Sequence, residues 1–216
     1  MFRQKGRRTG EYDWTEAWDI YYLLRSLGVR GGVVDVGCGE GQLINYLRSR
    51  GITAVGCDVA ENGCGAYCDA TRPSTIPNGR VWVLQHVIEH VPMDTWHALF
   101  RHAYEAGVDY VIIVAPGHFW IDETHYCNHF TPLLNSGIYE GNYGKVAMCG
   151  LEDLRRLLNQ VGYAGVVSFV DTHTLTHPWD LDYIVIASRG RHSLRKLLPW
   201  ILRRKLVQFK ALLSMP

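Results

Sequence analysis

Long apolar runs, a leading apolar segment and a regular cysteine framework are all missing from this sequence. No run approaches the roughly 20 apolar residues that a helix needs to cross a bilayer, so we expect any membrane contact to be peripheral. No apolar segment follows the basic start, as it would in a secretory signal, and the six cysteines lack the dense spacing of a secreted disulfide scaffold. We therefore expect a cytoplasmic protein, peripheral to the membrane at most, in which Cys57, Cys64 and Cys68 are buried reduced thiols.

Internal repeats and low-complexity tracts are also missing, which excludes solenoid architectures and disordered arrays. The 216 residues are 47% hydrophobic and 20% charged, a composition that suits one domain with a substantial core. We divide the chain into a mobile basic start (1–12), one folded domain (13–190) and a basic tail (191–216).

Charge is distributed unevenly between the body and the tail. The net charge is only +1, yet no acidic residue follows position 188. The basic residues beyond that position are Arg189, Arg191, Arg195, Lys196, Arg203, Arg204, Lys205 and Lys210. An apolar stripe accompanies them at Leu202, Leu206, Phe209 and Leu213. This pattern favours an amphipathic helix on an anionic membrane surface, whereas packing onto the domain or onto the partner of a homodimer is the ordinary alternative.

Strand-like apolar runs alternate with helical patterns through most of the domain. A helical spacing from Trp14 to Leu27, which places Trp18 in the core, ends at Gly28. The pattern then predicts strands at 32–36, 53–57, 81–84 and 110–115 and helices at 43–47, 93–105 and 151–160. Two late strands, 166–170 and 183–187, follow one another without a helix and should pair antiparallel. The result is an α/β fold with a mostly parallel, doubly wound sheet and an antiparallel terminal hairpin.

A glycine-rich turn follows the first predicted strand, in the sequence Val34-Asp35-Val36-Gly37-Cys38-Gly39-Glu40-Gly41. Glycines allow a tight turn and close backbone approach to a ligand, and the N-terminus of the following helix attracts a carboxylate or phosphate. The spacing is G-x-G-x-G, so the third glycine of the dinucleotide fingerprint is displaced. The turn therefore disfavours a nicotinamide dehydrogenase. A dehydrogenase is nevertheless kept as an alternative function.

Two aspartates follow the next strands. Asp58 ends the second strand, where its carboxylate can accept both hydroxyls of an adenosine ribose. Asp69 ends a short third strand, at 67–70, and can accept from an adenine amino group. A loop-capping role for Asp35 and an N-cap role for Asp58 are the structural alternatives.

The order VDVGCGEG, GCDVA, CDAT and VLQHVIEHVP resembles the successive motifs of class I S-adenosylmethionine-dependent methyltransferases over roughly residues 30–188. The resemblance implies a seven-stranded Rossmann-like sheet and S-adenosyl-L-methionine as cofactor, with S-adenosyl-L-homocysteine as product. It implies a cofactor site formed by Asp35, Gly37, Cys38, Gly39 and Gly41 around the methionine part, Asp58 and Val59 at the ribose, Asp69 and Ala70 at the adenine, and Gln85 and His86 at the sulfonium side.

Candidate catalytic residues follow the fourth predicted strand. His86 and His90 can act as general bases near neutral pH, with Glu89 orienting one of them. The Glu89-His90 pair resembles the EH that closes the same strand in ubiquinone-type O-methyltransferases. Some relatives hold a divalent ion there with an earlier glutamate, but His86 stands at that position and we expect no metal. Capping of the following helix is an equally open reading for Glu89 and His90.

The stretch from 116 to 148 has no regular pattern and is rich in histidine and aromatic residues, as is typical of a substrate loop. We predict that His125 and His129 are acceptor-site residues and that Trp120, Tyr126 and Phe130 are its walls. A zinc site that includes Cys127 is a weaker alternative, because its ligands lack paired C-x-x-C spacing.

The sequence thus predicts a methyltransferase, and O-methylation of a small-molecule, lipid-linked or glycan acceptor is the favoured reaction. An RNA methyltransferase is less favoured, because the fourth strand lacks the Asn/Asp-Pro-Pro-aromatic motif of base N-methylation. A catalytically silent subunit that binds S-adenosylmethionine is the third alternative. No motif in the sequence identifies the acceptor.

Overall fold

The computed structural model of the protein describes residues 12–60, 64–116, 126–127, 129–131, 136–141, 144–172, 181–190 and 197. The helices are α1 (Tyr12–Leu27), α2 (Gln42–Ser49), α3 (Trp96–Glu105) and α4 (Leu151–Val161). The strands are β1 (Val33–Val36), β2 (Ala54–Asp58), β3 (Ala66–Tyr67), β4 (Val81–Gln85), β5 (Tyr110–Pro116), β6 (His129–Thr131), β7 (Gly137–Gly141), β8 (Gly144–Gly150), β9 (Gly165–Thr172) and β10 (Leu181–Ser188).

Seven strands form one sheet in the order β3-β2-β1-β4-β5-β10-β9. The first five run parallel to their neighbours, whereas β10 is antiparallel to both β5 and β9. The doubly wound sheet with an antiparallel terminal hairpin is confirmed. The connection from β2 to β3 has no helix in its described residues, which agrees with the predicted short crossover.

Helices cover both faces of this sheet because the parallel strands are apolar on both sides. Val34 and Val36 of β1 face the cluster that contains α3 and α4, whereas Val33 faces the cluster that contains α1 and α2. Helix α4 shows why the assignment from periodicity succeeds, since its buried residues are Leu151, Leu154, Leu158 and Val161, spaced as one helical face requires.

The prediction that residues 116–148 are irregular was wrong for most of the described residues in this range. Strands β6, β8 and β7 form a second sheet of three strands, with β6 parallel and β7 antiparallel to β8. Exposed and glycine residues such as Ile138 and Gly137 hide the alternation that would have indicated strands. The backbone pairing with β8 decides the conformation instead.

Two boundaries also differ from the predictions. The segment before α3 is a separate 3-10 turn at Met93–Thr95 rather than the first turn of the helix. Strand β3 covers Ala66–Tyr67, and Asp69 follows it in an isolated bridge to Arg72. Strand pairing with β2 extends over only two residues, which is why the third strand ends before Asp69.

The prediction of reduced thiols was wrong. The structure pairs the six cysteines as Cys38–Cys64, Cys57–Cys68 and Cys127–Cys149. These pairs are separated by 26, 11 and 22 residues, so sequence spacing gave no sign of them, and strand pairing brings them together. Disulfides are typical of oxidising compartments and of intracellular proteins from hyperthermophiles. The cytoplasmic location therefore stays a prediction, and the cysteines no longer favour it.

Within the described ranges, no helix has the length and apolarity needed to span a membrane. The basic start (1–12, Tyr12 apart) and the basic tail (191–216, Leu197 apart) lie outside the described residues. The amphipathic tail helix, its membrane contact and the homodimer therefore stay predictions.

Candidate cofactor-binding site

The predicted cofactor residues meet at the carboxyl ends of β1, β2 and β4. Strand β1 lies between the other two, so the crossovers leave it in opposite directions. In open α/β sheets this reversal leaves a crevice outside the strand ends where ligands bind. The glycine turn, Asp58 and His86 each directly follow or end one of these three strands.

The glycine turn is anchored to β2 through its own backbone. Gly37 donates its N–H to the carbonyl of Cys57 at 2.8 Å and has φ of 76°, which favours glycine. A Cβ at Gly37 would stand 2.3 Å from Cγ2 of Val87, so a side chain would also collide with the segment after β4. Gly41, with φ of 79°, then begins α2 without a side-chain cap. The first turn of α2 therefore keeps its backbone N–H groups available for a ligand.

Asp58 points back to this turn. Its Oδ2 accepts a hydrogen bond from the Gly39 N–H at 2.9 Å, and its Oδ1 accepts one from the Ala60 N–H at 2.9 Å. The side chain is half-buried, and Val59 beside it is exposed. A Cβ at Gly39 would meet no described atom within 4 Å, so open space lies against the turn at this point. The carboxylate and the backbone of the turn are therefore in contact with each other and border the same open space.

His86 and Glu89 form the third side of the crevice. His86 has φ of 53° and donates its backbone N–H to the carbonyl of Val114 at 2.9 Å, which fixes it at the end of β4 beside the half-buried Gln85. Its Nδ1 lies 3.5 Å from Oε1 of Glu89. The Glu89 side chain is only 2% exposed, and its Oε2 has no hydrogen-bond partner among the described residues. His90 lies beyond this pair with an exposed side chain.

No protein-family model and no curated protein matches the sequence. Solved structures, however, match most of the chain. An S-adenosylmethionine-dependent methyltransferase from Archaeoglobus fulgidus shares 18% identity at a TM-score of 0.59, and the match covers 83% of this chain and 95% of that one. Magnesium protoporphyrin IX methyltransferase from Synechocystis PCC 6803, crystallised with S-adenosylhomocysteine, shares 16% identity at a TM-score of 0.57. This match covers 83% of this chain and 84% of that one. The 1,6-didemethyltoxoflavin-N1-methyltransferase of Burkholderia thailandensis shares 15% identity at a TM-score of 0.55. This match covers 81% of this chain and 80% of that one.

The fold is that of the class I S-adenosylmethionine-dependent methyltransferases. The sequence resemblance to the family's motifs had implied the antiparallel β10 between β5 and β9.

Asp35 lies inside the methyltransferase fold, at the end of β1. Its side chain is buried, and burial together with the nearby charge of Asp58 raises its pKa to about 7. A buried carboxyl keeps its proton unless a cation compensates the charge. Asp35 is thus a group whose charge depends on what occupies the crevice.

Asparagine at position 35 is expected to change how stability depends on pH. The unfolded chain releases the Asp35 proton near pH 3.8 and the folded protein near pH 7, so this group lowers stability progressively as the pH rises between these values. Asp35→Asn removes the ionisation, and we expect it to stabilise the protein by on the order of 4 kcal/mol at pH 8 and by almost nothing at pH 4. Urea unfolding of both proteins at the two pH values measures the difference. An equal effect at pH 4 and pH 8 would contradict the buried titration.

Asp69 is held by its own turn. Oδ1 accepts hydrogen bonds from the N–H and the hydroxyl of Thr71, at 2.9 and 2.7 Å, and Oδ2 accepts from Nε of Arg72 at 2.9 Å. The side-chain bond from Thr71 is the largest cause that lowers the pKa of Asp69. Asp69 and the half-buried Ala70 therefore sit on a preformed turn, and the predicted contact with adenine stays a prediction.

The predicted acceptor loop is described only in part. His125 and Trp120 lie outside the described residues, and of His129 only the backbone, in β6, is described. Tyr126 is exposed, and its N–H donates to the carbonyl of Glu89 at 2.7 Å. The backbone of this segment is thus tied to the catalytic candidates of the methyltransferase fold.

Three predictions on aromatic and cysteine residues are corrected or refined. Phe130 is not an acceptor wall, because it is fully buried and stacks on Trp96 of α3 with ring centroids 6.1 Å apart. Cys127 pairs with Cys149, which removes it from the alternative zinc set. Trp18 is half-buried and packs against the core cluster on α1.

Sequence reasoning missed two residues of this site. Val87 packs against the position of Gly37, and Cys64 pairs with Cys38 beside Asp58. A small apolar residue after a strand carries no motif, so Val87 gave no signal. The position of Cys64 shortly after GCDVA could have suggested proximity to the turn.

Proposed function

We propose that this protein is an enzyme that transfers a methyl group from S-adenosyl-L-methionine to a small-molecule, lipid-linked or glycan acceptor. The observation that carries the proposal is the position of Asp58, whose carboxylate is hydrogen-bonded to the glycine turn beside open space at the topological switch point. A ribose offers two adjacent hydroxyl donors to such a carboxylate. The dinucleotide fingerprint instead has its third glycine one position later, where it allows the helix to pack closely on the strand.

The chain's residues fit the parts of this cofactor. Asp35 and the turn of Gly37, Cys38, Gly39 and Gly41 would hold the methionine part, and its ammonium group would favour the ionised form of Asp35. Asp58 and Val59 would hold the ribose, Asp69 and Ala70 the adenine, and Gln85 and His86 the sulfonium side. When bound, the cofactor supplies an activated methyl group for in-line displacement, which depends mainly on positioning of the acceptor.

The His86–Glu89 pair supports O-methylation in particular. A hydroxyl acceptor must lose its proton, and an imidazole is the side chain best suited to take it near neutral pH. Glu89 is the positioning residue, since its buried carboxyl group lies 3.5 Å from Nδ1 of His86 and would orient the ring when the acceptor binds. His90, His125 and His129 are the further candidates for contact with the acceptor.

Calorimetric titration with S-adenosylhomocysteine tests the proposal. We expect a dissociation constant of roughly 1–100 µM and no heat from NAD under the same conditions. A screen of small-molecule, lipid and glycan pools with methyl-labelled S-adenosylmethionine should then label an acceptor. Binding of NAD with no response to S-adenosylhomocysteine would favour the dehydrogenase, and binding without any labelling would favour the silent subunit. Labelling of RNA alone would favour the RNA methyltransferase.

A further inference from the structure

The three disulfides differ in their access to solvent. Cys57, Cys68, Cys127 and Cys149 are all at most 2% exposed. Cys64, in contrast, is only partly buried, and its partner Cys38 is 8% exposed. Thiol–disulfide exchange requires an incoming thiolate to reach a sulfur atom. Cys38–Cys64 is therefore the disulfide that a dissolved thiol reaches most readily in the folded protein.

This disulfide also connects two walls of the crevice. Cys38 stands between Gly37 and Gly39 in the turn, and its N–H donates to the carbonyl of Cys57 at 3.1 Å. Cys64 belongs to the segment after Asp58 and packs against the end of the turn, where a Cβ at Gly41 would stand 3.4 Å from Cβ of Cys64. The two sulfur atoms and a carboxylate oxygen of Asp58 lie within 4.8 Å of one another. A change at this pair thus acts directly beside the carboxylate of the site.

We propose that Cys38 and Cys64 form a reversible thiol–disulfide site that sets the affinity for the cofactor, with the disulfide form binding more tightly. The bond fixes the glycine turn against the segment that follows β2, so the oxidised protein has already ordered both walls before the ligand arrives. The reduced protein must order them on binding, which costs affinity. The inference rests on the proposed function, because the affinity in question is that for S-adenosylmethionine.

A dithiol can reduce the Cys38–Cys64 disulfide in two exchange steps. One thiolate of the reductant attacks the more exposed sulfur, at Cys64, the S–S bond to Cys38 breaks, and a mixed disulfide forms. The second thiol of the reductant then closes its own disulfide and releases Cys64. Two electrons and two protons pass from the reductant to Cys38 and Cys64. A disulfide oxidant such as oxidised glutathione reverses the step.

The full-length protein allows a direct test with dithiothreitol. Brief native treatment followed by alkylation and peptide mass spectrometry should modify Cys38 and Cys64 before the four other cysteines. Titration with S-adenosylhomocysteine should show affinity on the order of tenfold weaker in the treated protein, a normal size for coupling between two sites. Oxidised glutathione should restore the original affinity.

Paired serine variants separate this site from a general effect of lost disulfides. Cys38→Ser with Cys64→Ser should bind like the reduced protein and ignore dithiothreitol. Cys127→Ser with Cys149→Ser is the matched control, because it removes a bridge over 22 residues where Cys38–Cys64 spans 26, and it should keep the redox response.

Two results would overturn the inference while leaving the proposed function in place. One is equal affinity of the oxidised and reduced proteins once alkylation has shown that Cys38 and Cys64 are open. The other is persistence of this disulfide after the two buried pairs have been reduced. A protein that ignores S-adenosylhomocysteine in both redox states would instead overturn the proposed function, and the inference with it.

Discussion

Alanine at position 58 is expected to weaken the binding of S-adenosylhomocysteine by about 100-fold or more, since it removes the carboxylate that we propose accepts two ribose hydroxyls. A hydrogen bond to a charged group contributes roughly 1.5–3 kcal/mol. The variant also loses the two bonds by which Asp58 accepts from the N–H groups of Gly39 and Ala60. The glycine turn should therefore become less ordered as well. Isothermal calorimetry measures the change in affinity.

Asp109→Ala is the matched control for this variant. Asp109 is also half-buried and also holds a partner, since its Oδ2 accepts from Nε of Arg80 at 2.8 Å. It directly precedes β5, however, and so lies at the amino ends of the parallel strands, whereas the crevice lies at their carboxyl ends. We expect Asp109→Ala to lower the thermal midpoint and to leave the affinity unchanged. If Asp58→Ala binds S-adenosylhomocysteine as tightly as the wild type, the ribose assignment of Asp58 fails.

Glutamine at position 89 is expected to lower kcat by on the order of 100-fold, the scale of general base catalysis, without changing the affinity for S-adenosylhomocysteine. The amide keeps the size of the carboxylate but removes the negative charge 3.5 Å from Nδ1 of His86. The backbone carbonyl of residue 89, which accepts from Tyr126 and Cys127, is untouched. The rate of labelling of the acceptor found in the screen, followed from pH 5 to pH 9, measures kcat and its pH profile.

The pH profile separates positioning of a base from a structural role. If Glu89 orients His86, the acidic limb of the wild-type profile should move to lower pH in Glu89→Gln, because the base acts only when deprotonated and its imidazolium has lost a charged neighbour. Glu105→Gln, on the exposed side of α3, should reproduce the wild-type curve. A Glu89→Gln variant with full kcat and an unshifted profile would leave only the structural reading of Glu89 as a helix cap.

Most of the seven-stranded sheet follows from local sequence. Apolar runs of strand length separated by helical spacing, as in α4, report burial directly, because a buried helix face repeats every three to four residues. The turn at Gly37 is similarly local, since its positive φ favours glycine. Asp58 could be selected because the carboxyl ends of adjacent parallel strands meet at one edge of the sheet.

The second sheet, the cysteine pairs and the burial of Phe130 were decided only by tertiary structure. Strand β6 pairs with β8, whose residues lie about twenty positions further along the chain, and its short and partly exposed neighbours carry no period. Phe130 entered the core because Trp96 of α3 offers it a stacking face. Contacts between distant segments depend on how the elements pack, whereas helices, parallel strands and the glycine turn depend on the residues within them, and the sequence by itself determined only the latter.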